Sequence, residues 1–298
     1  MPNIPLDIYD ADHKLAVEEL GKHLREGSLA LILGAGVSKS VGFSNWWELV
    51  LDVRKLCGLS TDGIDSNTPT EKLLVLAGEA ERKFGSQKEY LDAVAKTLYG
   101  GRLMYDSEFL RGKLLIALGA LMMGSQRGSV KNVVTYNYDD LLEWYLRMHG
   151  FTVNSVPELP YLRDGSDVTI FHQHGFIPLQ SDLLSRRTKI IFSKHSYDAY
   201  VGANWNPQKE LLKSILAERI FIAVGFSTSD PTIGPLLYGI HELIKESRPS
   251  GFWLFGSEKN STEFDELTRH NVAPIYLGNH DRVPEFLLEV CQAAATGF

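Results

Sequence analysis

Three short segments, Gly34-Ala35-Gly36-Val37-Ser38, Thr135-Tyr136-Asn137-Tyr138-Asp139 and His174-Gly175, each follow an apolar run where a strand is expected to end. Open α/β sheets place their ligands at the C-terminal ends of strands, so this pattern constrains the fold and its site together. Leu29-Ala30-Leu31-Ile32-Leu33 is short, apolar on both faces and ended by glycine, the character of a central parallel strand. Further strand signals come at Val130–Thr135, Phe151–Val156, Val168–Phe171, Lys189–Phe192, Arg219–Val224, Gly251–Phe255 and Pro274–Leu277. Helical patterns at Asp139–Met148, Pro207–Leu216, Thr232–Lys245 and Pro284–Ala294 alternate with several of them, and Leu15–Leu24 precedes the first strand as a helix. The alternation predicts a doubly wound, mostly parallel, Rossmann-like α/β sheet. Between the first two strands lie four helical patterns and no convincing strand: Trp46–Leu56, Glu71–Phe84, Gln87–Leu98 and Glu108–Met123. Residues 14–44 and 125–298 are therefore expected to form the sheet domain, and residues 45–124 an inserted helical lobe.

The chain has 298 residues, enough for a large core, with 44% hydrophobic and 22% charged residues. Its formal net charge is −7, and Lys and Arg are spread thinly, without the basic stripe of a nucleic-acid binder. An anionic ligand must then be held by local donors, chiefly backbone N–H groups, because the overall field repels it. Met1 to His13 lacks the basic start and apolar centre of a secretory signal. The most apolar stretch, Leu114–Met123, is too short to span a bilayer and reads as a buried helix. With only Cys57 and Cys291, one chain holds neither a disulfide framework nor a four-cysteine zinc site. A soluble, cytoplasmic protein without direct nucleic-acid or membrane binding is expected.

Each motif has a plain reading beside a functional one. Gly-x-Gly alone is weak: with 26 glycines, chance supplies about two such pairs. Its context is better, since an apolar strand precedes it, Ser38 can cap, and a helix begins at Trp46. The ordinary dinucleotide fingerprint wants a third glycine where Lys39 stands, so a tight turn without a ligand remains open. Asn137 or Asp139 can cap the next helix, yet capping leaves an excess of polar side chains at one sheet end. On a strand, His172 and His174 point the same way and invite a metal reading, but no Cys or His pair with suitable spacing lies near. The later run Ile220–Val224 enters Gly225-Phe226-Ser227-Thr228-Ser229-Asp230, with Pro231 opening a helix, and can be a nucleotide turn or a well-capped helix start.

In order and residue type these motifs resemble the sirtuin-like (silent-information-regulator-like) family, which breaks the nicotinamide–ribose bond of NAD. The resemblance covers the sheet from about Leu29 to Leu277 and leaves out the helical insertion. It implies that Gly34, Ala35, Gly36 and Ser38 cradle the pyrophosphate of NAD. It also implies that Asn137 contacts the nicotinamide ribose and places the attacking group, that Asp139 holds the carboxamide, that His174 acts as base or polarises a ribose hydroxyl, and that Gly225 and Ser227 bind adenosine. Two departures stand out. Deacylating sirtuins carry a four-cysteine zinc module after the histidine, whereas no cysteine follows His174 until Cys291. Their first turn continues as Gly-x-Pro-x-Phe-Arg, whereas Gly42-Phe43-Ser44-Asn45-Trp46-Trp47 stands here and is similar to the Trp-containing bacterial antiphage-defence branch.

The resemblance therefore implies an NAD hydrolase releasing nicotinamide and ADP-ribose, with NAD as substrate and no zinc. An NAD-dependent protein deacylase and a non-catalytic nucleotide-binding subunit are the alternatives. An enzyme that hydrolysed NAD freely would drain its own cell. The sheet signals end near Leu277 with one helix after them, so control is expected from outside the chain. A homo-oligomer, or a partner defence protein such as an ATPase, would supply it, with the helical insertion as the movable element.

Overall fold

The computed structural model describes residues 5–100, 110–123, 128–159, 165–179, 187–203, 206–226, 237–239 and 249–296. Seven strands form one sheet: β1 Leu29–Leu33, β2 Asn132–Thr135, β3 Val153–Val156, β4 Val168–His172, β5 Ile220–Val224, β6 Gly251–Phe255 and β7 Val272–Tyr276. Their order is β3-β4-β2-β1-β5-β6-β7. Every pairing is parallel, with Leu31 of β1 level with Val133 of β2 on one side and Ile222 of β5 on the other. From β1 the chain moves out to β2, reaches the edge as β3 and comes back between them as β4, then crosses to the other side of β1 as β5. The reversal makes the switch point of a doubly wound sheet, where a crevice opens beyond the strand ends.

Parallel strands need both faces covered, and alternating residues supply two cores. One face, with Leu29, Leu31, Leu33, Val133, Ile170, Ile222 and Ile275, packs against α2 (His13–Arg25), α7 (Lys113–Met122), α8 (Leu141–Met148) and α12 (Arg282–Thr296). The other, with Ile32, Val134, Phe171, Phe221 and Trp253, packs against α10 (Pro207–Glu218) and, through Leu267, α11 (Ser261–Arg269). Pro274 lies in β7 without harm because β7 is an edge strand, where a missing N–H breaks no inner ladder.

The remaining helices are α1 (Ile8–Ala11), α3 (Gly36–Lys39), α4 (Trp46–Leu56), α5 (Thr70–Glu81), α6 (Gln87–Tyr99) and α9 (Lys194–Gly202). An Asn45–Glu48 capping box starts α4. The described residues between β1 and β2 form helices and no strand, as the sequence suggests. α4 packs on α5 and α6, while α7 packs on α12 and α8 in the layer covering the sheet.

Two expectations change. Lys189–Phe192 is not a strand: it crosses the end of β4 with isolated backbone bonds, Thr188 N–H to Phe176 O and Ile191 N–H to His174 O, which make no ladder. Its apolar residues Ile190 and Phe192 are instead buried against the helices. Helices α9 and α11 and the single turns α1 and α3 were not foreseen; α11 carries little apolar signal beyond Phe264 and Leu267. Most of the expected helix Thr232–Lys245 lies outside the described residues.

Candidate functional site

The turns after β1 and β5 meet backbone to backbone. Gly34 N–H donates to Val224 O and Gly36 N–H to Gly225 O, both at 2.9 Å. A Cβ on Gly36 would stand 2.7 Å from Gly225 Cα, and one on Gly225 would stand 2.8 Å from Val37 N. Gly225 also has φ +75°, a region that other residues enter at a cost. The first glycine turn is therefore needed for strand-end packing whether or not a ligand approaches it. Gly36, its N–H engaged by Gly225 O, serves this backbone contact and is not among the residues lining the cleft.

The turn after β2 lies against this pair. Asn137 is held at several points: its backbone N–H donates to Thr135 Oγ1 at 3.1 Å, and its side-chain Nδ2 donates to Gly34 O and Ser38 Oγ, each at 3.1 Å. Ser38 Oγ in turn donates to Asp139 Oδ2 at 2.8 Å, and Asp139 Oδ1 accepts Leu141 N–H at 3.2 Å, capping α8. Two acceptors around Nδ2 fix which way the amide faces. Among the described residues Asn137 Oδ1 makes no hydrogen bond, and the residue lines the cleft. Asp139 is buried, and burial raises its pKa against the lowering by Ser38 and Leu141 N–H. Asp140 is pushed up to about 7, chiefly by burial, although the Tyr99 hydroxyl at 2.7 Å favours its ionised form.

The two histidines part company. β4 ends at His172, so the strand alternation that would have kept them on one side stops there. His172 is 0% exposed, with Nε2 at 2.7 Å from Glu143 Oε1 on α8 and Nδ1 at 3.1 Å from Asn137 O. His174 joins the cleft wall, edge-on to Tyr136, Tyr197 and Tyr200 at centroid distances of 4.7, 5.2 and 5.9 Å. Gly175 allows this with φ +93°, and a Cβ there would stand 2.3 Å from Lys189 O.

These elements surround a cleft at the switch point, beyond the carboxyl ends of the strands. Gly34, Ala35, Ser38, Asn137, Asp139, His174 and Gly225 all line it. Ser227 lies outside the described residues. The helices between β1 and β2 add Trp46, Leu49, Thr70 and Leu98 to its wall. Sequence reasoning passed over Glu143, Tyr197 and Phe226; of these, only Phe226 carried a local signal, as the neighbour of Gly225.

Residues 131–275 match the family model described as a SIR2-like domain. The match contains Asn137, His174 and Gly225 and begins after the first glycine turn. The NAD(+) hydrolase ThsA of Enterococcus faecium is 24% identical over 240 residues, covering 80% of this chain and 45% of that protein. The NAD(+) hydrolase ThsA of Bacillus cereus (strain MSX-D12) is 21% identical over 296 residues, covering 93% and 56%. The chain thus spans about half the length of the curated relatives it matches. A crystal structure of a Sir2 homologue–NAD complex aligns with TM-score 0.50 and 16% identity, covering 93% of this chain and 94% of that one. A Sir2-homologue mutant with 2′-O-acetyl ADP-ribose aligns with TM-score 0.50 and 14% identity, covering 93% and 98%. The chain thus has the Rossmann-like fold expected from its motifs.

Proposed function

We propose that this chain is an NAD hydrolase that cleaves the nicotinamide–ribose bond, giving nicotinamide and ADP-ribose. The observation that carries the reading is Asn137. Its amide nitrogen is spent on Gly34 and Ser38, so its carbonyl oxygen is the group presented to the cleft. The relatives named NAD(+) hydrolase support the same chemistry.

Nicotinamide leaves as a neutral molecule from a cationic pyridinium, so the leaving group needs no acid, and the ribose passes through an oxocarbenium-like state. The site then has to position the ribose, exclude bulk water and place one nucleophilic water. In this reading Asn137 Oδ1 accepts a hydrogen bond from that water or from a ribose hydroxyl. His174 takes the water's proton or polarises the hydroxyl. Asp139, tied to Ser38, holds the carboxamide side. The turn of Gly34, Ala35, Gly36 and Ser38 faces the pyrophosphate, while Gly225 and Ser227 face adenosine. Residues 14–44 and 125–298 act as the NAD-binding unit. The lobe of residues 45–124 covers the cleft through Trp46, Leu49, Thr70 and Leu98.

The cellular role proposed is that of NAD-depleting effector in a bacterial antiphage defence system, in the cytoplasm, held in check by homo-oligomerisation or by a partner such as an ATPase. The relatives and the Trp-containing segment after the first turn support it. Light scattering on the chain alone and with its genomic neighbour's product tests the assembly.

Incubating the purified chain with NAD and following nicotinamide tests the chemistry. Release without any acylated peptide is expected. Release only when an acyl-lysine peptide is added would make the chain a deacylase, and no release under either condition would leave a nucleotide binder.

A further inference from the structure

Asn137 is gripped from both sides, and only one side belongs to the cleft. Toward the cleft its Nδ2 is anchored by Gly34 and Ser38. Behind it, its backbone carbonyl meets Nδ1 of His172 at 3.1 Å, and the opposite ring nitrogen meets Glu143 Oε1 at 2.7 Å. Glu143 is fixed in turn by Ser155 Oγ, which donates to the same oxygen at 3.2 Å, and His172 lies 4.2 Å from the Phe176 ring. His172 and Glu143 are 0% and 1% exposed, so neither can touch NAD.

The geometry dictates the protons. A carbonyl oxygen only accepts, so Nδ1 of His172 carries a hydrogen directed at Asn137 O. Nε2 then either donates to the Glu143 carboxylate or accepts from a protonated Glu143. In both cases one hydrogen bridges the pair and locks the ring. A His–Glu pair in so dry a position is a poor source of stability, because apolar residues of similar volume commonly do as well or better there. Its use lies in direction: it fixes the plane of the peptide between Asn137 and Tyr138.

We propose that His172 and Glu143 are positioning residues that set the Asn137 side chain for reaction without contacting the substrate. The proposal rests on the reading of Asn137 as the group that acts on NAD. A displacement of about 1 Å in such a group can cost roughly 100-fold in rate while barely changing how tightly substrate binds.

The test compares wild type, His172→Phe, His172→Asn and the double variant His172→Phe/Glu143→Leu. Nicotinamide release gives kcat and KM, and the Asn137 side-chain amide signal in ¹H–¹⁵N spectra is identified by its loss in Asn137→Ala. His172→Phe removes both bonds and leaves Glu143 alone in the core. The double variant also removes that charge and protects folding. Both are expected to lose roughly 10- to 100-fold in kcat, with KM within about threefold. His172→Asn, whose Nδ2 can take the place of the ring Nδ1, should recover most of the loss. The Asn137 amide signal should move in His172→Phe and the double variant, and return toward its wild-type position in His172→Asn. Unchanged kcat in a folded double variant, or an amide signal indifferent to position 172, overturns the proposal. Absence of nicotinamide release by wild type would overturn the reading of Asn137 instead, and the amide signal would still decide whether the pair positions it.

Discussion

At the C-terminal ends of β1, β2 and β4 the chain buries Ser38, Thr135, Asp139, Asp140, His172 and His174, whereas the described ends of β6 and β7 bury aromatic rings. There Phe255 and Tyr276 stack with centroids 4.6 Å apart and planes within 8°, and Trp253 lies beneath at 1% exposure. Both halves belong to one continuous parallel sheet, so strand geometry does not separate them. Apolar burial contributes roughly 25 cal/mol per Å², while each buried polar group must find a partner merely to break even. The β1–β2–β4 half forgoes stabilisation in order to hold directed groups, and the proposed function makes it the working end. The β6–β7 half is where stability can be gained without constraint from chemistry.

Mutations should therefore separate stability from turnover according to the half they strike. Phe252→Ala, on β6 and edge-on to Tyr9, is expected to lose about 3–5 kcal/mol of stability while kcat per folded molecule stays unchanged. Denaturant titration beside nicotinamide release checks this, and a matching fall in kcat would erase the contrast. His174→Ala should instead strike turnover hardest: at least ~100-fold slower nicotinamide release, with a cooperative melting transition retained at a temperature lowered by the loss of its ring contacts.

Asp140 sharpens the comparison through pH. Its pKa is about 7 in the fold, mainly through burial, against an ordinary value near 3.9 in the unfolded chain. The stability tied to its folded-state proton is complete below about pH 4 and lost as pH rises through about 7. Asp140→Asn cannot ionise, so its melting temperature relative to wild type should improve from pH 5 to pH 8. A constant difference across that range would show that Asp140 does not feel its burial. Smallest of all, Tyr276→Phe removes the hydroxyl bond to Asn260 O at 3.1 Å and should cost about 1 kcal/mol, with no change in turnover.

What could be read beforehand was local. An apolar run that stops at a glycine or at polar residues marks a central strand end, which is why the turns at Gly34, Asn137 and His174 stood out and why they converge. Lys189–Phe192 looked equally apolar, but Ile190 and Phe192 are buried by tertiary packing while the backbone crosses the sheet end, a distinction no period contains. The partners of the site are also distant in sequence. Glu143 is 29 residues from His172 and Tyr99 is 41 from Asp140, and no spacing rule links them. Strand period alone put His172 and His174 on one side, and only the resemblance favoured His174; the strand ends between them, sending one to Glu143 and the other to the cleft wall.

The central claim is that the polar half of the sheet end works through Asn137. The direct measurement is the initial rate of nicotinamide release from NAD by Asn137→Ala, set beside wild type and normalised to folded protein. Since Nδ2 meets only Gly34 O and Ser38 Oγ, the fold should survive the substitution. The account predicts a rate at least ~100-fold below wild type with the cooperative melting transition retained. A folded Asn137→Ala protein that releases nicotinamide at the wild-type rate would contradict it.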